Sequence, residues 1–278
     1  VILGFFNGVH SGHKKVINSA VSYAHKNNLK TVLITFQYSP AEYFNNSFEY
    51  IFPRELDYKL IENLNVDYLF EEDFPLIVDI SAENYIRMIA KEFSPKAVFT
   101  GFNYTFGSGK TGTPSLLNDL QNKYNYKYFC IENYEIDKKT VSSTTIKEFL
   151  KNGDIERANL FLGSNFCLKS TVQEGAQIGR KIGFPTANMQ YPSKIVKIPY
   201  GVYKVRVMDK NAVLNWGVKP TFGKNSELLE IHIPNFSGNL YGNILEFEIL
   251  KKIRNEQHFN CKEDLITQIK KDLDICSK

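Results

Sequence analysis

Cysteine, methionine and tryptophan are scarce: four, three and one in 278 residues. Cys130, Cys167, Cys261 and Cys276 are scattered and make no CxxC pair. That spacing argues against a zinc site or a disulfide framework and suits a reducing cytoplasm. No run approaches the ~18 apolar residues that a bilayer-spanning helix needs, and no secretory signal pattern is present. Excess charge is small as well. A net charge of +4 accommodates anionic small molecules such as nucleotides but is thin for a nucleic-acid-binding surface. Repeats, low-complexity tracts and long linkers are absent too.

What remains is an ordinary globular chain, 43% hydrophobic and 23% charged. At about 150 residues per domain its length predicts two domains, each large enough to bury a core. Val1 sits inside an apolar strand-like run, so a few residues are expected to precede it. The first half alternates. VILGFF, TVLITF (31–36), VDYLF (66–70), KAVFTGF (96–102) and YKYFCIENY (126–134) read as strands. Helical patterns lie between them: the stretch from Ser11, RELDYKLIENL (54–64), AENYIRMIAKEF capped by Ser81, and PSLLNDLQNKY (114–124). Strands separated by such helices predict a Rossmann-like parallel sheet with right-handed crossovers. VSSTTIKEFLKNG and DIERANLFLG add two helices before Gly163. Beyond that point period-two alternation takes over, in GVYKVRVM, AVLNWGV, LLEIHIPNF and ILEFEILKKI, before a final amphipathic helix, KEDLITQIKKDL. Short strands at this spacing predict a small antiparallel β-barrel or sandwich. The expected domains are 1–162 and 163–278.

Three stretches carry candidate chemistry. GVHSGH falls where the first strand gives way to a helix, and free N–H groups and the helix dipole there favour an anion. Gly8 and Gly12 flank the pair, and Gly12 allows close approach of a nucleotide. His10 and His13, three apart, share a face and could donate hydrogen bonds to charge growing on a phosphate. A zinc helix would need a third ligand that is not visible. On spacing alone, one helix-cap histidine beside one surface histidine stays open. GFNYTFGSGKTG (101–112) contains GKT, but residue 104, where a P-loop needs glycine, is Tyr104. It is a glycine-rich loop after a strand, ending near Lys110. VSSTTIK opens a helix with Ser142, Ser143 and Thr144, and Lys147 lies one turn in. All three stretches lie where open α/β sheets bind ligands.

GVHSGH followed late by SSTTIK resembles the nucleotidylyltransferases with a histidine–glycine–histidine signature. The whole chain is closer still to the bifunctional bacterial riboflavin kinase/FMN adenylyltransferases, or FAD synthetases. The second half supplies GRKIGFPTAN (179–188), GVY (201–203), NWGVKPTFG (215–223), LEIH (229–232), LYG (240–242) and KKIRNEQHF (251–259). The resemblance implies two reactions: riboflavin plus ATP gives FMN, and FMN plus a second ATP gives FAD and pyrophosphate. It implies ATP, riboflavin and FMN as substrates, Mg²⁺ as cofactor, no membrane or nucleic-acid partner, and a cytoplasmic enzyme. His10 and His13 would act on ATP phosphates, with Gly8, Gly12, Asn103, Ser143, Thr144 and Lys147 on the nucleotide side. Glu230, facing opposite Leu229 and Ile231, would be the kinase base. Thr186 and Asn188 would hold Mg²⁺, Gly179 and Gly183 would admit phosphate, and Arg254 would serve the flavin or phosphate side. The single tryptophan, Trp216, lies among these motifs and fits either a flavin site or the core.

The departures from the family pattern fall in the first half. Asn7 stands where the family has Asp, Gln37, Tyr38 and Ser39 replace an Asp- and His-bearing stretch, and Lys147 replaces Arg. They predict a weakened adenylylation that Asn7→Asp would speed. The rivals are a monofunctional riboflavin kinase, a nucleotidyltransferase of another small phosphate, and a non-catalytic flavin-responsive binding protein.

Overall fold

A computed structural model describes residues 1–44, 48–174, 183–221, 224–259 and 261–277. They fall into two compact units: Val1–Phe48 with Arg54–Ser143, and Glu49–Pro53 with Thr144–Lys278.

The first unit is a parallel five-stranded sheet. Its strands are β1 (Ile2–Leu3), β2 (Val32–Phe36), β3 (Tyr68–Glu72), β4 (Ala97–Gly101) and β5 (Lys127–Ile131), in the order β3-β2-β1-β4-β5. Neighbouring side chains alternate between two cores. Ile2, Leu33, Ala97 and Phe99 pack on one face with Val16 and Ile17 of α1 (Ser11–Lys26) and Ile61 of α3 (Arg54–Glu62). Leu3, Ile34 and Val98 pack on the other with Ile86 and Ile89 of α5 (Ala82–Phe93) and Leu117 of α6 (Pro114–Leu120). Burial on both faces explains why these strands read as unbroken apolar runs. Two short helices, α2 (Pro40–Phe44) and α4 (Phe74–Ile77), complete the set.

Helix starts follow capping chemistry. Ser81 Oγ accepts the Asn84 N–H at 3.4 Å, and Thr113 Oγ1 accepts that of Leu116 at 3.3 Å, with Pro114 in the first turn. The expected first strand is shorter than VILGFF. Its last ladder bond is Gly4 N–H to the Ile34 carbonyl, 3.2 Å, and from Phe5 the chain bends toward α1. The sheet order makes β1 and β4 neighbours whose following connections run to opposite sides. That is the switch point where such sheets open a crevice at their carboxyl edge.

A small hairpin, β6 (Glu135–Ile136) with β7 (Lys139–Thr140), precedes α7 (Ser143–Lys151) and α8 (Ile155–Leu162). Gly163 ends α8 in the left-handed region.

The second unit holds six strands: β8 (Phe166–Thr171), β9 (Ala187–Met189), β10 (Gly201–Val207), β11 (Lys210–Thr221), β12 (Lys224–His232) and β13 (Ile244–Arg254). They are antiparallel, in the order β8-β13-β10-β11-β12-β9. The sheet curls until Gln173, just past β8, donates its N–H to the Asn188 carbonyl of β9 at 2.8 Å. Tyr203, Val205, Val207, Leu214, Trp216, Leu229 and Ile231 fill the core. The turn between β10 and β11 is Met208–Asp209, both at positive φ, as two-residue hairpins require. α9 (Lys262–Ser277) closes the chain. No helix among the described residues is long and apolar enough to cross a membrane.

Candidate active sites

In the first unit the chain leaves β1 through Asn7, Gly8 and Val9 and enters α1 with His10 as N-cap. Gly8 has φ +85°, a conformation that a side chain would strain. His10 Nδ1 accepts the His13 backbone N–H at 3.2 Å. A neutral imidazole accepting at Nδ1 carries its proton on Nε2, so the cap also fixes the tautomer. The two imidazoles stack, with centroids 3.6 Å apart and planes 15° apart, and Phe6 meets the His13 ring edge-on at 5.1 Å. Burial, slightly opposed by its backbone bond, pushes His10 down to about 3. Burial and the neighbouring His10 hold His13 well below the ordinary histidine range. Both rings are therefore neutral at pH 7. His13 Nδ1 is buried with no hydrogen-bond partner among the described residues. A Cβ on Gly12 would lie 3.2 Å from the His10 ring, so that glycine protects the stacked pair. His10 is the helix cap of the bland reading, but His13 is no free surface residue. No group of three or more His, Cys, Asp or Glu suited to a metal occurs among the described residues.

Two residues that the sequence reading passed over hold this loop. Asp57 Oδ1 accepts the Gly8 N–H at 2.9 Å, and its Oδ2 lies 3.2 Å from Arg54 Nη1. Arg54 also donates to the carbonyls of Phe6 (3.4 Å), in the loop after β1, and Phe36 (3.0 Å), the last residue of β2. Asp57 is fully buried. Burial pushes its carboxyl up to about 7 against the pull of Arg54 and the Gly8 N–H. The signal was present: Asp57 falls on the apolar stripe of its helix with Leu60 and Ile61, which Leu64 continues just past the helix end.

Asn103 is exposed just past β4. The glycine-rich loop beyond it folds on itself. Phe106 and Gly112 exchange backbone bonds, and a Cβ on Gly107 would lie 2.5 Å from Ala82. Packing therefore accounts for that glycine, with Lys110 left exposed. Ser143 Oγ donates to the Asn7 carbonyl at 2.9 Å. Thr144 and Lys147 follow on α7, in the second unit, where burial lowers the Lys147 ammonium and Glu49 opposes that effect. Among the departures, Gln37 and Tyr38 are exposed. Ser39 is buried and accepts the Ala41 N–H at 3.2 Å, at the start of α2.

In the second unit Glu230 faces away from buried Leu229 and Ile231, as the alternation predicts. Its partners across the sheet are Asn188 on β9 and Asn215 on β11. Paired residues of neighbouring strands share a face, so Asn188, Glu230 and Asn215 form one polar row. Asn188 Nδ2 donates to the Thr186 carbonyl at 3.4 Å. His232 Nδ1 meets the Pro185 carbonyl at 2.8 Å, and its ring takes Phe184 edge-on at 5.5 Å. These contacts seat the PTAN stretch on β12. Gly183 has φ +90° and nothing within 4 Å of a would-be Cβ. Gly179 lies outside the described residues. Arg254 is committed elsewhere: its Nε and Nη2 grip Asp272 of α9 at 2.8 to 3.1 Å. Trp216 is core, fully buried between Tyr191 and Tyr200, with Nε1–H on the Ile198 carbonyl at 3.0 Å.

Both halves match described families. A sequence model of FAD synthetase matches residues 1–145, and one of riboflavin kinase matches 162–278. The bifunctional riboflavin kinase/FMN adenylyltransferase of Buchnera aphidicola subsp. Schizaphis graminum is 36% identical, over 100% of this chain and 93% of its own length. The Bacillus subtilis protein of that name is 33% identical, over 97% and 89%. A solved structure from Streptococcus pneumoniae, titled a macrolide-efflux protein, superposes with a TM-score of 0.89 at 26% identity, over 100% of this chain and 93% of its own. A loop that neutralises two histidines at the switch point of a parallel sheet, and a PTAN strand facing a glutamate in a curled antiparallel sheet, thus occur in one chain that belongs to the bifunctional riboflavin kinase/FMN adenylyltransferase family.

Proposed function

We propose that the second unit phosphorylates riboflavin with ATP to give FMN, and that the first adenylylates FMN with ATP to give FAD and pyrophosphate. The observation that carries this reading is the presence, in one chain, of two unlike phosphate-directed constellations on two unlike sheets.

In adenylylation an FMN phosphate oxygen attacks the α-phosphorus of ATP, and the bond to the pyrophosphate oxygen breaks. No group on the protein need be adenylylated, so catalysis is placement and charge stabilisation. His10 is neutral and carries its proton on Nε2. It donates to phosphate oxygen without adding charge of its own, and the α1 N-terminus behind it favours the anion. His13 holds the His10 ring by stacking. Ser143, Thr144 and Lys147, with Asn103 after β4, complete the nucleotide side by resemblance.

In the kinase reaction the terminal ribityl hydroxyl oxygen attacks the γ-phosphorus and ADP leaves. Glu230 accepts the hydroxyl proton. The polar row fits Mg²⁺ by its donor chemistry. Its oxygens are hard, and Asn188 spends Nδ2 on the Thr186 carbonyl, so Oδ1 is the atom a cation would take. Thr186 and Asn188 would hold the ion, which when bound neutralises charge on the ATP phosphates. Small-molecule substrates, no nucleic-acid partner and a cytoplasmic setting complete the reading.

Incubation with riboflavin, ATP and Mg²⁺, followed by chromatography of the flavins, tests it. FMN followed by FAD is expected. FMN alone leaves a monofunctional kinase, and unchanged riboflavin leaves a binding protein.

A further inference from the structure

We propose that Asp57 is a positioning residue for adenylylation: from α3 it supplies the histidine loop with the carboxylate that the family pattern places at residue 7. The inference rests on the adenylyltransferase reading of the first unit.

One peptide plane carries the argument. The Asn7 carbonyl and the Gly8 N–H belong to the same peptide unit. Its oxygen accepts Ser143 Oγ at 2.9 Å, and its N–H donates to Asp57 Oδ1 at 2.9 Å. A plane held at both ends cannot rotate. Its orientation sets the left-handed Gly8 and Val9 that follow, at φ +85° and +36°, and so where His10 enters α1. Arg54 completes the frame by bonding Asp57, the Phe6 carbonyl in the loop itself and the Phe36 carbonyl that ends β2.

Helix packing alone does not explain an acid at this position. Leucine would suit the apolar stripe of α3, and a buried charge is costly unless paired. Asp57 pairs with Arg54 and the loop. Asn7 is itself buried, 2% exposed. Adding the roughly 2.4 Å from Gly8 N back to the Asn7 Cα to the 2.9 Å hydrogen bond puts the Asp57 oxygen no more than about 5.3 Å from that Cα. Residue 7 and Asp57 are thus neighbours in one dry site, where burial already pushes the Asp57 carboxyl up to about 7. Two carboxylates there would repel each other. This reverses the expectation from sequence that Asn7→Asp alone speeds adenylylation.

The test compares wild type, Asp57→Asn, Asn7→Asp and the double variant as full chains. Each is assayed for FAD from FMN and MgATP, with kcat and KM separated. Riboflavin phosphorylation by the same preparations serves as the internal standard. Each single change should lower kcat for FAD by about tenfold or more and leave phosphorylation near normal. The double variant, with its one carboxylate back at residue 7, should recover to within a few-fold of wild type. A merely structural Asp57 gives losses that multiply in the double variant. That outcome, or a faster Asn7→Asp single, overturns the proposal. If Asp57→Asn does not fold, the Asn7→Asp rate decides alone. If wild type makes FMN but no FAD, the adenylyltransferase reading fails, and the Gly8 amide decides the clamp. A downfield, slowly exchanging proton that moves upfield in Asp57→Asn upholds the clamp, and a freely exchanging one in wild type overturns it.

Discussion

His10 lies in the loop that Asp57 holds through Gly8, and burial moves their titrations in opposite directions. His10 falls from an ordinary 6.5 to about 3. Between those values the unfolded chain binds a proton that the native protein does not. His10 therefore adds stability as pH rises from 3 to 6.5, and that stability is lost as pH falls through the same window. Asp57 rises from 3.8 to about 7, so the native state keeps a proton there that the unfolded chain has lost. Its contribution declines as pH rises through that range. Replacing His10 by Gln removes the first effect and leaves that of Asp57. The stability of wild type minus that of His10→Gln, from urea unfolding at pH 4 to 6.5, should increase with pH by at most ~1.4 kcal/mol per unit. Parallel profiles would show that His10 is not buried neutral. At the other site, Glu230→Gln should cut FMN formation from riboflavin by about 10²-fold or more while FMN supplied from outside is still converted to FAD. Loss of both activities in a folded variant would count against two separate sites. His10, His13 and Glu230 were legible as candidates because their neighbours in sequence are the motif. Asp57 and Arg54 were not, because their partners lie 49 and 48 residues away, at Gly8 and Phe6, and only folding brings them together.

At the scale of elements, the parallel sheet and its helices followed from uninterrupted apolar runs and caps, and α5 begins and ends where its sequence pattern does. The β6–β7 hairpin was missed because its turn, Asp137–Lys138, takes positive φ at both positions without a glycine to announce it. Arg254 shows a subtler limit. The KKIRNEQHF motif marks it for ligand chemistry, yet its side chain is 17% exposed and its guanidinium is fixed to Asp272, whose side chain is 3% exposed, on the terminal helix. A charge pair this buried is costly to break from one side, by about 3–5 kcal/mol. Asp272→Ala should therefore lower the thermal midpoint of the second unit sharply. The double change Arg254→Met with Asp272→Leu should restore most of that loss, because it removes both charges. The restored variant then separates two roles. If it phosphorylates riboflavin near the normal rate, Arg254 anchors α9 and does not serve the substrate. A stable variant without kinase activity would return Arg254 to the flavin or phosphate side.

For the molecule as a whole, FMN made by one unit is the substrate of the other, so the balance of the two rates decides which flavin accumulates. The departures from the family pattern gather in the first half, and two of them have a structural counterpart. Ser39 serves as the cap of a short helix, and the place of Asn7 is balanced by Asp57. Lys147, which the resemblance places at phosphate, is a different case. It keeps a positive charge on α7, but an ammonium lacks the planar fork with which Arg grips phosphate oxygens in pairs. Its partial burial also lowers its proton affinity, with Glu49 only opposing that shift. Each ~1.4 kcal/mol withheld from the transition state slows a step tenfold, so one weakened phosphate contact suffices to put adenylylation behind phosphorylation. Starting from riboflavin with excess ATP and Mg²⁺, FMN should rise to a plateau before FAD replaces it. Lys147→Arg should shorten that plateau without changing the initial rate of riboflavin loss. FAD that rises with no FMN lag in the wild type, or a plateau that lengthens in Lys147→Arg, would mean that the lysine is matched to its surroundings and that phosphorylation sets the pace.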